Sequence, residues 1–271
     1  TPRARACALW GGVLDLPGER KVHAVATPLL GGAAVYGAFA VTVLANFDFS
    51  LQLKGVAVGG TIVVAIGILD DMTDLPAALK LLAQVGAAGV AIAYGVILDT
   101  VPTWIPGFIW LNVILTVLWL ITVTNAIQFL DGMDGLAAGL GIIAGIFFSI
   151  VSLQTGQRYL MFLSAALVGA CLGFLPYNFR PGGGQIFLGD AGASFIGFTL
   201  AGLAAMGTWA NDDPVISLFT PMLILGVPLF DIAFVGIVRV VTGRVHTLHE
   251  WLAYTGRDHI HHRFEALGLT K

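Results

Sequence analysis

Carboxylates in this 271-residue chain cluster at the ends of apolar runs. Asp131 and Asp134 stand three residues apart, so on a helix they share one face. Asn125 and Gln128 extend the same spacing backwards, giving a polar stripe. Asp70 and Asp71 close another apolar run, with Asp74 and Lys80 just beyond. Two adjacent carboxylates repel each other unless a proton or a cation sits between them. Asp190 opens a further apolar run, in Ile186-Phe187-Leu188-Gly189-Asp190-Ala191-Gly192. Near the end the chain reads His259-Ile260-His261-His262-Arg263, and near the start Arg20-Lys21-Val22-His23. Acids able to hold a hard cation, beside cations able to hold phosphate, are the parts of metal-assisted phosphoryl transfer. No cysteine accompanies the histidines, and this oxygen-rich set suits a hard cation better than zinc.

What positions these groups is a membrane. The chain is 57% hydrophobic and 11% charged, with a mean hydropathy of +0.89. A soluble domain carries about 25% charge. The expectation is an all-α, polytopic transmembrane helical bundle with catalytic loops on one face. Continuous apolar runs, without strand-like alternation, argue against a barrel. Eight stretches approach the roughly 20 residues needed to cross a bilayer: 29–47, 54–69, 79–98, 108–130, 136–153, 159–177, 191–208 and 215–238. They define nine connections on alternating sides. Of the 13 Lys and Arg, all but Lys54 and Arg158 fall on the odd side, which the positive-inside rule makes cytoplasmic. All six histidines fall there too, with Asp70, Asp71, Asp74, Asp131, Asp134 and Asp190. One membrane-embedded domain over 1–271 is expected. The abrupt starts and stops at Thr1–Arg5 and Gly268–Lys271 read as a domain shortened at both termini.

Several positions admit more than one reading. Arg20, Lys21 and His23 could hold a phosphate or anchor the chain at the headgroups. Asp190 could be a metal ligand or only a helix N-cap. Gly182, Gly183 and Gly184 read more simply as a flexible turn than as a phosphate cradle. Asp231 lies inside the eighth apolar stretch and must face protein or water. It is either a satisfied structural acid or part of a cavity wall. Cys7 and Cys171 have no metal or redox spacing.

In their order these motifs resemble the polyprenyl-phosphate N-acetylhexosamine-1-phosphate transferase family, within glycosyltransferase family 4. The branch is that of WecA and TagO, beside MraY. The resemblance rests on Arg20-Lys21-x-His23 with Thr27-Pro28-x-Leu30-Gly31-Gly32, on Asp70-Asp71 through Lys80, and on Asn125 through Gly139. Ile186 through Gly192, Pro228-Leu229-Phe230-Asp231 and His259-x-His261-His262-Arg263 complete it. It implies that a UDP-N-acetylhexosamine, UDP-GlcNAc first among them, gives its sugar-1-phosphate to undecaprenyl or another polyprenyl phosphate, releasing UMP. Such a reaction initiates a cell-envelope glycan at the cytoplasmic face of the inner membrane. The cofactor implied is Mg2+, or Mn2+ in its place. Asp70, Asp71, Asp131 and Asp134 match catalytic acids; Asp190 and Gln128 match metal-site positions. Lys21, His23, Lys80, Asn125, Asn178, Phe187, His259, His261, His262 and Arg263 match substrate-binding positions, with Phe187 stacking on uracil.

The chain departs from the family pattern at Gln128, usually Asn, at Leu29, usually Arg, and at Ala26, usually Pro. A multi-pass ion or solute transporter is the alternative, but transporters place polar ligands near the midplane in repeated halves. Here the acids crowd one face and no repeat is visible. A CDP-alcohol phosphatidyltransferase needs an Arg and further acids after Asp134, which Ala138-Gly139-Leu140 does not supply. Nothing points to nucleic acid, and the sequence does not choose between a monomer and a homodimer.

Overall fold

The computed structural model describes residues 1–15, 26–45, 50–210, 214–247, 250, 256, 258–260 and 263–264. Each of the eight apolar stretches contains a helix. A short helix, α1 (Pro2–Gly11), precedes a two-stranded antiparallel ribbon of β1 (Leu14–Asp15) and β2 (Thr27–Pro28). The apolar helices follow: α2 (Gly31–Leu44), α3 (Leu51–Thr73), α4 (Ala77–Ala93), α5 (Phe108–Leu130), α6 (Leu136–Gln154), α7 (Arg158–Asn178), α8 (Gly189–Met206), α9 (Pro214–Ile224) and α10 (Gly226–Val241).

The expected count of eight spans is too high by length. Among the described residues five helices, α3, α5, α6, α7 and α8, are long and apolar enough to cross a membrane. The pair α9–α10 makes a sixth if its two bent halves form one span. At 1.5 Å per residue, α2 reaches about 21 Å and α4 about 26 Å, short of the ~30 Å hydrocarbon core. The run expected to end at residue 98 stops at Ala93, where Gly95 turns the chain with φ +87°. The eighth stretch is bent by 84° between α9 and α10. Pro228 explains the break. It has no N–H for the carbonyl of Ile224, the last residue of α9, and its ring would collide there.

At the centre stands α8. Its membrane-length window is 89% buried, against 39–44% for the other four long helices. It packs on α3, α5, α2 and α6. Close approach depends on missing side chains. A Cβ on Gly67 of α3 would strike the Ala191 backbone, and one on Gly32 of α2 would strike the Gly192 backbone. Helix α2 has no side-chain cap of its own. Its first N–H groups donate to main-chain carbonyls just before α8: Gly31 to Phe187 at 3.1 Å and Gly32 to Leu188 at 2.8 Å. The Thr27-to-Gly32 motif is thereby stitched to the Ile186-to-Gly192 motif.

Candidate active site

The C-terminal ends of α3 and α5 and the N-terminal ends of α4 and α8 meet at one end of the bundle. At the end of α3, Asp70 is buried. Its Oδ1 accepts the Leu75 N–H at 2.7 Å and its Oδ2 accepts from Lys80 Nζ at 2.8 Å. The same ammonium reaches Asp190 Oδ2 at 3.1 Å. Lys80 therefore joins α3, α4 and α8 through one cation. Asp74 ends α3 in a left-handed conformation, φ 52°, and Pro76 precedes α4, so the chain reverses within a few residues and returns Lys80 to Asp70.

Asp71 is engaged differently. Its Oδ1 accepts the backbone N–H of Asp190 at 2.9 Å, and its Oδ2 that of Ala191 at 3.4 Å. Helix α8 has no cap from its own preceding residue, so Asp71 caps it from α3. Asp190 is the acid in the first turn of α8, not its cap.

The polar stripe of α5 faces α4. Asn125 Nδ2 donates to Gln84 Oε1 at 2.7 Å, and Gln84 Nε2 donates to Gln128 Oε1 at 3.1 Å. Gln84 is a residue that the sequence reading passed over. Its signal was available: it lies four residues after Lys80, hence on the same helix face. Lys80, Gln84, Gln128 and Asp190, with Gly67 and Ser194, line one cavity between α3, α4, α5 and α8.

Asp131 follows α5 and is half-buried; its carboxylate accepts no hydrogen bond among the described residues. Burial pushes that carboxyl well above the ordinary carboxylate range, and the negative charges of Asp190, Asp71 and Asp134 push it further. Asp134 accepts the Gly184 N–H at 2.8 Å, which ties the glycine turn to the start of α6. Asn178, expected at a substrate contact, has both ends of its amide engaged by main chain. Its Oδ1 accepts from Gly135 N at 2.6 Å, and its Nδ2 donates to the Ile186 carbonyl at 3.1 Å. It staples α6, α7 and the turn before α8. Phe187 is half-buried, with its main chain paired to Pro28 and Gly31.

The described members of the histidine motif, His259 and Arg263, make their contacts elsewhere. His259 bonds Asp231, and its ring lies 4.9 Å from that of Phe129 on α5. Arg263 donates to the Asp258 carbonyl at 3.3 Å and lies over the Phe234 ring at 4.8 Å. Lys21, His23, His261 and His262 are outside the described residues.

The donor chemistry fits a hard divalent cation. Lys80 pairs with both Asp70 and Asp190, while the Asp131 carboxyl meets only like charges among the described residues. Among the described residues no three His, Cys, Asp or Glu groups form a ready-made metal cage. Magnesium needs none, because it commonly takes one or two carboxylates and fills its shell with water and substrate phosphate.

Residues 53–208 match the family model described as Glycosyl transferase family 4. The chain is 36% identical to the "Probable undecaprenyl-phosphate N-acetylglucosaminyl 1-phosphate transferase" of Bacillus subtilis, covering 100% of this chain and 74% of that protein. It is 33% identical to the decaprenyl-phosphate N-acetylglucosaminephosphotransferase of Mycobacterium leprae, over 93% of this chain and 70% of the relative. It is 28% identical to the undecaprenyl-phosphate alpha-N-acetylglucosaminyl 1-phosphate transferase of Escherichia coli, over 98% and 73%.

Proposed function

The chain belongs to glycosyl transferase family 4, and from that premise we propose that it moves N-acetylglucosamine 1-phosphate from UDP-GlcNAc to a polyprenyl phosphate. An oxygen of the lipid phosphate attacks the phosphorus that bears the sugar. The bond from that phosphorus to the UMP phosphate oxygen breaks, and UMP leaves. The product is a polyprenyl diphosphate carrying the sugar, made as one membrane domain acts at the cytoplasmic face of the inner membrane. The excess of Lys and Arg on the odd connections supports that orientation.

The observation that carries the reading is the bridge Asp70–Lys80–Asp190, beside an Asp131 that faces three further acids, in a chain of this family. Phosphoryl transfer asks little covalent chemistry of a protein; positioning and charge stabilisation supply most of the catalysis. The lipid phosphate, with a second pKa of about 6, is already largely a dianion at neutral pH. The nucleophile therefore needs little help from a base, and Asp70 and Asp71 act chiefly by holding Lys80 and α8 in place. Asp131 and Asp190, with Gln128 beside them, would hold the divalent cation. When bound, that ion supplies positive charge to the diphosphate. Lys80 adds a second positive group at the same place. Lys21, His23, His261 and His262 are proposed to bind the two phosphate-bearing substrates, and Phe187 the uracil.

The test is UMP release by the purified chain in detergent, given undecaprenyl phosphate and UDP-GlcNAc, with Mg2+ or with EDTA. UMP that requires both the lipid and the metal supports the proposal. Uptake of a solute into vesicles without UMP release would replace it by the transporter reading.

A further inference from the structure

Four charged or titratable side chains near α10 are buried together: Asp231 is 4% exposed, Arg239 5%, His259 6% and Asp258 8%. None belongs to the acid cluster described above. On α10 the buried stripe Asp231, Val235 and Arg239 repeats every four residues, so the acid and the cation share one helix face. An acid inside an apolar helix needs protein partners. Asp231 has two: its Oδ2 pairs with His259 Nδ1 at 2.6 Å, and its Oδ1 accepts the Ile260 N–H at 2.8 Å. Arg239 grips the preceding residue with a fork, Nε to Asp258 Oδ2 at 2.8 Å and Nη2 to Oδ1 at 2.6 Å. The same Nη2 lies 3.4 Å from His259 Nε2.

These contacts bear on where the histidine carries its proton. A guanidinium only donates and a carboxylate only accepts, so the two contacts favour Nδ1–H facing Asp231 and Nε2 as an acceptor. Both ring nitrogens thus face protein. The ring also lies against Phe129, which adjoins Gln128 and precedes Asp131 by two residues.

We propose that His259 is a positioning residue and not a ligand of the substrate diphosphate. Asp231 and Arg239 lock its ring, and through it they hold the segment with Asp258, Ile260 and Arg263 against α10 and the Phe129 end of α5. The inference rests on the transferase reading only for what that segment serves; the lock itself is independent of it.

His259→Asn separates the two roles. An asparagine amide can donate to Asp231 from near the Nδ1 position, but it has no imidazole to offer a phosphate. Asp231→Asn does the reverse. Its oxygen can keep the Ile260 N–H, but its NH2 then faces Nδ1 and drives the ring to the other tautomer, whose Nε2–H faces Arg239. The full chain in detergent, labelled with 15N-histidine, is read by long-range 1H–15N NMR at neutral pH and by UMP release. One ring held as Nδ1–H should disappear in His259→Asn and change tautomer in Asp231→Asn. Turnover in His259→Asn should stay within about tenfold of wild type, with an unchanged KM for the donor. His259→Leu should lose about 100-fold in kcat. A His259 ring protonated on Nε2, or averaging between tautomers, in the wild type overturns the lock. A folded His259→Asn as inactive as His259→Leu overturns the positioning role in favour of direct contact. If even the wild type releases no UMP, the transferase reading fails and the tautomer result alone decides the lock.

Discussion

The backbone N–H of Asp190 donates to the side chain of Asp71 at 2.9 Å, across the interface between α3 and α8. One acid thereby sets the position of another. Any tilt of α3 is passed to the first turn of α8, and so to the carboxylate that meets Lys80. The family resemblance makes Asp71 a catalytic acid; the geometry gives both its oxygens to the end of a helix.

Removing that cap should therefore register as stability. Asp71→Ala is expected to lower unfolding stability in detergent by about 1 kcal/mol, the usual worth of a side-chain N-cap. Asp71→Asn, which keeps one acceptor oxygen, should lose less. Thermal unfolding of the two variants, side by side, checks this. Equal loss of activity in both with no change in melting would mean that Asp71 serves chemistry and not the helix end.

Asp131 should show the opposite balance. Its ionised form is opposed by burial and by three neighbouring acids, so the native state is penalised at neutral pH. In EDTA, Asp131→Asn is expected to stabilise the protein by about 1 kcal/mol while abolishing UMP release. A variant that melts earlier than wild type would contradict the account of like-charge repulsion at Asp131.

Gln84 is the third test. Gln84→Leu keeps the volume and removes the link between Asn125 and Gln128. Supporting groups around a metal or phosphate site typically carry about 10–100-fold in activity. The expected outcome is a loss in that range, with a higher Mg2+ concentration needed for half-maximal rate. An unchanged metal requirement would detach Gln128 from the cation.

The pair Arg239–Asp258 predicts a response to acid. The hydrogen bonds from Arg239 hold the Asp258 carboxyl below its ordinary range. Its stabilisation is thus complete above the unfolded carboxyl's pKa of about 3.9. It is lost as pH falls from there through the lower folded value. Hydrogen exchange at the Ile260 amide should accelerate over that acid window in wild type. Arg239→Met should already show fast exchange at neutral pH.

Much of this was legible in the chain. The apolar runs identify every long helix, because continuous hydrophobicity in a lipid-facing segment has few other solutions. The three-residue spacing of Asn125, Gln128 and Asp131 correctly puts the two amides on the face that meets α4. What the sequence does not reveal is which group a polar side chain spends itself on. That Asn178 staples the chain is invisible in the sequence, because its partners, Gly135 N and the Ile186 carbonyl, are main-chain groups with no signature. Asp231 reads equally as structural or as cavity wall; only the return of the chain at His259 decides it. The span count fails for a local reason, since hydropathy does not register the turn at Gly95 or the missing N–H of Pro228.

Helix α8 has the lowest hydropathy of the five long helices, 1.2 against 1.8–2.3, and the greatest burial. Lipid alone holds it weakly. During synthesis it follows α3 and α5 out of the ribosome, and its polar first turn needs Asp71 and Lys80 already in the bilayer. The segment that carries Asp190 is therefore the one whose membrane insertion depends most on helices made before it. Changes in α3 or α5 that leave the chemistry untouched can act at biogenesis, lowering the amount of inserted protein without altering the turnover of each molecule.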